Sequence, residues 1–239
     1  MALKTVVFEN NRFDISYEMI NPSAKKDIVF LHGWGSNKEI MKQAFGKYLS
    51  EFRHIYIDMP GFGKSSNDVA LTTKEYSQII KTFLEQLNST PIAIAGHSFG
   101  GKVATLLNPD NLILLSSAGI LEEKSLKVKL KIKFAKLMNS LGLGGLTKAF
   151  RSSDVNKMSE SMYATFKNVV DEDFTNYFKN YKKNGMIFWG EEDSATSLAS
   201  GKKIHQLIEN SSFTSYKDGH YFFLKFAQDI TQRVENGIH

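Results

Sequence analysis

The sequence contains no cysteine. Disulfide staples, thiol nucleophiles and cysteine metal sites are therefore excluded, and a reducing compartment fits. No apolar run approaches the roughly 20 residues needed to span a bilayer, so no integral membrane segment is expected. Glu9, Asp14 and Glu18 interrupt the opening stretch 1–20. That leaves no signal-peptide core, and a cytoplasmic location is the expectation. Internal repeats and low-complexity linkers are absent as well.

What remains is an ordinary globular composition: 239 residues, 42% hydrophobic and 23% charged. At roughly 100–200 residues per domain this allows one domain, or one domain with an insertion. The formal net charge is +5, which raises the question of nucleic acid or a membrane surface. The excess is local. Residues 122–183 hold 13 Lys/Arg against 7 Asp/Glu, while the flanking regions are near neutral.

Short apolar runs alternate with helical patterns through the first half. Strands are expected at 4–9, 13–20, 27–31, 53–59, 91–95 and 111–116, and helices at 37–50, 73–87 and 98–107. The rhythm stops after Gly119 and returns at Met186. A strand at 186–189, a helix at 198–208, a strand at 212–216 and a helix at 221–235 follow. Repeated β-α-β units with apolar strands imply a mostly parallel sheet covered by helices. The expected organisation is one α/β domain formed by 1–119 and 184–239, with a helical insertion at 120–183. Within the insertion, Leu126–Phe134 alternates strictly, yet Leu126, Leu130, Phe134, Leu137, Met138 and Leu141 also trace one helical face. Its Lys and Leu content favours helix.

The run Gly96-His97-Ser98-Phe99-Gly100 lies between an apolar strand and a helix. A serine on such a sharp turn is thrust forward at the sheet edge, and small neighbours allow the turn. Serine is a weak nucleophile without a base. Of the six histidines, His220 lies on the loop after the final strand, and the chain order nucleophile, acid, base selects it. His97 adjoins the serine but should point away from it. The base needs a carboxylate to fix its tautomer. Asp193, past the end of strand 186–189, is favoured over its rivals Glu191 and Glu192. Developing oxyanion charge needs two N–H donors. Phe99, directly after the serine, and Trp34, in His32-Gly33-Trp34-Gly35, are the candidates. The run Asp58-Met59-Pro60-Gly61-Phe62-Gly63-Lys64-Ser65 lacks the spacing of a nucleotide loop and reads as a tight structural loop beside the site.

Taken together, H-G-W-G at 32–35, D-M-P-G-F-G-K-S at 58–65, G-H-S-F-G-G at 96–101, G-E-E-D at 190–193 and D-G-H at 218–220 resemble the α/β-hydrolase superfamily. The resemblance implies an eight-stranded, mostly parallel sheet flanked by helices, with its second strand antiparallel and a helical cap inserted after the sixth strand. It implies Ser98 as nucleophile, Asp193 as acid, His220 as base, and Trp34 and Phe99 as oxyanion donors. The acid loop departs from the pattern: no proline follows Asp193. Serine at 98 argues against the branches that use an aspartate there. The motifs are similar to those of small carboxylesterases, including esterases of pimeloyl-acyl-carrier-protein methyl ester. They are also similar to those of hydrolases cleaving carbon–carbon bonds in ring-fission products.

The expected activity is hydrolysis of a small or medium acyl ester through an acyl-enzyme, with no cofactor and no metal. The carbon–carbon alternative favours a carboxylate-binding arginine, and of Arg12, Arg53, Arg151 and Arg233 only Arg151 lies in the insertion. A non-catalytic binding module on the same fold is a third reading. Substrate-pocket candidates are His32, Gly33, Leu126, Phe134, Met158, Met162 and Phe166. Lys124, Lys127, Lys129, Lys131, Lys133 and Lys136 form an acid-free cluster. It reads as a solvated helix face, or as a docking surface for an acidic acyl-carrier protein at the pocket mouth. The stretch lacks exposed aromatics for base stacking, so nucleic acid is not an expected partner.

Overall fold

A computed structural model describes residues 2–121 and 158–238. Eight strands form one sheet: β1 (Ala2–Phe8), β2 (Asn11–Ile20), β3 (Lys26–Leu31), β4 (Phe52–Ile57), β5 (Ala93–His97), β6 (Asn111–Leu115), β7 (Asn184–Gly190) and β8 (Ser211–Tyr216). Their spatial order is β1-β2-β4-β3-β5-β6-β7-β8. β2 is antiparallel to both β1 and β4, and every other pairing is parallel. The chain crosses over at β3, placing β4 on one side of it and β5 on the other. In open α/β sheets, sites form at the carboxyl ends of strands beside such a switch.

The central strands alternate between two buried layers, which explains why they read as continuous apolar runs. Val29, Leu31, Ile94, Leu112, Leu114, Ile187 and Trp189 enter one layer. Ile28, Phe30, Ala93, Ala95, Ile113, Leu115, Met186 and Phe188 enter the other. Helices α1 (Lys38–Phe45), α2 (Thr73–Gln86) and α3 (Phe99–Leu107) precede β6. Between β6 and β7, among the described residues, lie α4 (Glu160–Val169) and α5 (Thr175–Asn180). α6 (Leu198–Leu207) follows β7 and α7 (Phe223–Gly237) follows β8. α2, α3 and α6 cover the first layer, and α1 and α7 the second. Among the described residues, no helix is long and apolar enough to cross a membrane.

Two helix starts follow from local sequence. Asn37 caps α1 by accepting from Glu39 N–H at 3.0 Å. Thr72 and Glu75 form a reciprocal capping box on α2, satisfying donors that a helix start leaves bare. α1 ends earlier than its apolar spacing suggests. Gly46 N–H closes the last turn onto the Lys42 carbonyl at 2.8 Å, and Leu49 then takes a left-handed φ of 54°. Tyr48 and Leu49 still pack into the second layer, now from a loop, so their spacing imitated a helix without being one.

α4 is fastened to the body by side chains. Leu71 N–H donates to Thr165 Oγ1 at 3.0 Å, and Asn168 Nδ2 donates to the Leu71 carbonyl at 3.2 Å. Buried Lys102 on α3 reaches the Val169 carbonyl and Glu172, 2.9 Å from the carboxylate. The expectation for Leu126–Phe134, and with it the lysine cluster 124–136, lies outside the described residues.

Candidate active site

β5 ends at His97 and α3 begins at Phe99, leaving Ser98 as the entire turn between them. Its φ of 51° and ψ of −115° lie where a side chain is strained, at a cost of about 1–3 kcal/mol. The surrounding backbone holds it there. Ser98 N–H donates to the Leu115 carbonyl at 3.1 Å, and the Ser98 carbonyl accepts from Gly101 and Ala118, both at 3.0 Å. The flanking glycines are steric requirements. A Cβ on Gly100 would stand 2.5 Å from the Leu31 carbonyl oxygen and 2.6 Å from that of His32, and one on Gly96 would collide with the Gly100 carbonyl. The Phe99 N–H, first in α3, has no acceptor within its own helix.

Asp193 follows β7, and His220 lies between β8 and α7. Separated by 27 residues in sequence, they meet with Asp193 Oδ2 and His220 Nδ1 2.7 Å apart. The carboxylate accepts, so Nδ1 carries the proton and the neutral ring leaves Nε2 free to act as a base. Asp193 Oδ1 accepts from Ala195 N–H at 2.8 Å and Thr196 N–H at 3.0 Å, and Thr196 Oγ1 lies 2.9 Å from Oδ2. Burial alone would raise the Asp193 pKa. The hydrogen bonds from His220 and from the Thr196 N–H outweigh it and hold the carboxyl far below the ordinary carboxylate range. Glu191 instead accepts from Ser215 Oγ at 2.8 Å, and Glu192 is exposed. Among the described residues, no hydrogen bond joins Ser98 Oγ to His220; in ligand-free sites such bonds commonly tighten only when substrate arrives.

The eight-stranded sheet with its antiparallel second strand, and the sequence that builds it, match known proteins. The sequence model for the alpha/beta hydrolase fold aligns with residues 27–111. An esterase from Exiguobacterium antarcticum superposes with a TM-score of 0.74 at 22% identity, covering 95% of this chain and 96% of that one. A hydrolase from Pseudomonas aeruginosa gives 0.77 at 16% identity, covering 98% and 97%. The chain has the α/β-hydrolase fold. A pimeloyl-[acyl-carrier protein] methyl ester esterase of Edwardsiella ictaluri is 35% identical over 83 residues. That stretch covers 35% of this chain but only 31% of the relative's length.

Within this α/β-hydrolase fold the other candidates separate. Trp34 lies in the loop after β3, its ring against Phe62, Phe99 and Phe166 at centroid distances of 4.8, 5.6 and 5.4 Å. The neighbouring Gly33 rests on the elbow: a Cβ there would be 3.2 Å from Ser98 Cβ. Met158 and Met162 line a cavity of about 720 Å³, together with Trp34, Gly35, Gly61, Phe62, Ser159 and Tyr221. Phe166 backs the Trp34 wall. Leu126 and Phe134 lie outside the described residues.

His32 takes a different place from the pocket wall proposed for it. It is fully buried, its Nδ1 donates to the Gly33 carbonyl at 2.8 Å, and its Nε2 accepts from Met59 N–H at 3.1 Å. With both nitrogens committed, it clamps the loops after β3 and β4 together. Burial pushes its pKa down to about 4, which keeps the ring neutral. Among the described residues, no group of three or more His, Asp or Glu is arranged to hold a metal ion.

Two contributors were missed from the sequence. Thr196 supplies both a backbone and a side-chain contact to Asp193, and the Asp-x-x-Thr spacing was its available signal. Lys38 and Asp58 form a buried pair at 2.7 Å. Asp58 also accepts from Lys38 N–H at 2.7 Å and Lys64 N–H at 3.0 Å. These bonds shape the D-M-P-G-F-G-K-S loop against α1.

Proposed function

We propose that the chain is a serine hydrolase of small or medium acyl esters. The observation that carries this reading is the Asp193–His220 pair at the sheet edge where Ser98 is held on its strained turn. In the proposed reaction, His220 Nε2 takes the Ser98 hydroxyl proton as Oγ attacks the ester carbonyl. The backbone N–H groups of Phe99 and Trp34 receive the oxyanion. Removing one such donor costs on the order of 10²–10³ in kcat in related sites. The protonated His220 then gives its proton to the departing alcohol, leaving Ser98 acylated. Water, deprotonated by the same ring, releases the acid and restores the serine. Asp193 stabilises the imidazolium at each stage without taking its proton.

The cavity supports an uncharged substrate portion, since among the described residues aromatic and methionine side chains dominate its wall and Tyr221 is its only titratable group. The test is a chain-length series of p-nitrophenyl acyl esters with native protein and Ser98→Ala. Turnover that peaks within the short-to-medium range and vanishes in the variant is expected. Undiminished turnover in the variant would overturn the assignment.

A second reading narrows what carries the acyl part of the substrate. The local similarity to pimeloyl-[acyl-carrier protein] methyl ester esterases and the acid-free lysine cluster at 124–136 support an ester carried on an acidic carrier protein. Turnover of carrier-linked esters should then fall steeply with salt while that of free esters does not. Equal salt dependence would remove this reading.

A further inference from the structure

His97 makes contacts that the proposed chemistry does not use. It is buried at the end of β5, and its Nε2 lies 3.1 Å from the backbone carbonyl of His220. A carbonyl only accepts, so Nε2 carries the ring proton. Nδ1 is buried and meets no hydrogen-bond partner among the described residues. Such an orphaned acceptor costs about 1–3 kcal/mol and calls for a reason.

The surroundings supply one. The His97 ring lies 4.5 Å from the His220 ring, 5.1 Å from that of Tyr221 and 4.8 Å from that of Phe223, all measured between centroids. Its bare Nδ1 faces the loop after β3, where a Cβ on Gly33 would come within 2.9 Å of it. One ring therefore touches the base loop and the loop that carries Trp34, while its own backbone leads directly into Ser98. A proton on Nδ1 would crowd Gly33 and set a positive charge beside His220, opposing the imidazolium that the proposed reaction forms there. Burial, with the charge of His220 as a further cause, pushes the His97 pKa down to about 3, in keeping with a neutral ring.

We propose that His97 is a positioning residue: its Nε2–H fixes the His220 peptide and its unprotonated Nδ1 edge seats the Gly33 loop, so that base, oxyanion loop and nucleophile share one frame. This rests on the triad reading above. A displacement of about 1 Å at such a centre can cost roughly 100-fold in rate.

The decisive pair is His97→Phe, which keeps the ring's bulk without a donor, and His97→Gln, whose amide can reach the same carbonyl. On p-nitrophenyl butyrate, His97→Phe should lower kcat by roughly 10- to 100-fold with KM within about threefold. His97→Gln should recover most of that loss. Equal losses in both variants would mean that the ring only fills space, and an unchanged kcat in His97→Phe would mean that it positions nothing. Should His97→Phe not fold, the imidazole ¹⁵N spectrum of the native protein decides. A neutral Nε2–H ring persisting at about pH 5 is expected, whereas a ring that charges there, as an ordinary histidine does, overturns the proposal. The triad reading fails separately, through active Ser98→Ala protein, and that result leaves the His97 tautomer untouched.

Discussion

Asp193→Asn isolates one bond in the site. Asn has the shape of Asp, but one of its two terminal atoms donates. The structure dictates which one. Ala195 and Thr196 N–H groups both point at the Oδ1 position, so the amide oxygen must stay there. The amide NH₂ is left at the Oδ2 position, 2.7 Å from His220 Nδ1. Thr196 Oγ1 does not prevent this, because its proton can turn to the Ser116 carbonyl at 3.2 Å. An NH₂ group donates, so His220 must present a bare Nδ1 and carry its proton on Nε2. That tautomer has no lone pair with which to take the Ser98 proton. A base held in the wrong tautomer costs about 10⁴-fold in kcat, equivalent to about 5.5 kcal/mol of barrier. The assay is steady-state hydrolysis of p-nitrophenyl butyrate, with a urea melt to show that the variant is folded. A folded Asp193→Asn protein within tenfold of native kcat would refute the argument.

Acid lability is a second expectation. His32 and His97 have pKa values pushed down to about 4 and about 3 by burial. Below the ordinary histidine range the unfolded chain therefore binds protons that the folded chain refuses. Stability is complete above pH ~6.5 and declines below it, by about 1.4 kcal/mol per pH unit for each ring, until the folded-state values are reached. Urea midpoints between pH ~7 and ~5 read this directly; a flat profile would contradict the buried neutral rings. A third expectation concerns Asp58→Asn, which strips buried Lys38 of its carboxylate partner at 2.7 Å. Breaking such a pair costs about 3–5 kcal/mol, and a loss below about 1 kcal/mol in urea unfolding would contradict that.

The strands were legible because the sheet is buried on both faces, which turns 28–31, 91–95 and 112–115 into unbroken apolar runs. The turn at Ser98 was legible because Gly96 and Gly100 answer a local steric demand. The early end of α1 was not, because Tyr48 and Leu49 serve the same core layer from a loop. His32 was misread because its partners, the Gly33 carbonyl and the Met59 N–H, are backbone groups that no side-chain pattern announces. The Lys38–Asp58 pair was not legible because its members lie on α1 and after β4, 20 residues apart. The contact between His97 and the His220 carbonyl spans 123 residues. β6 and β7 stand between β5 and β8 in the sheet, so the contact is made by the loop after β8 and not by neighbouring strands.

The central claim is that Ser98 is an activated nucleophile. Treatment with a fluorophosphonate, followed by intact-mass and peptide analysis, tests it most directly. The account predicts a single adduct on the peptide carrying Ser98 and none in Ser98→Ala. No adduct on the folded native protein, or an adduct at another serine, would contradict it.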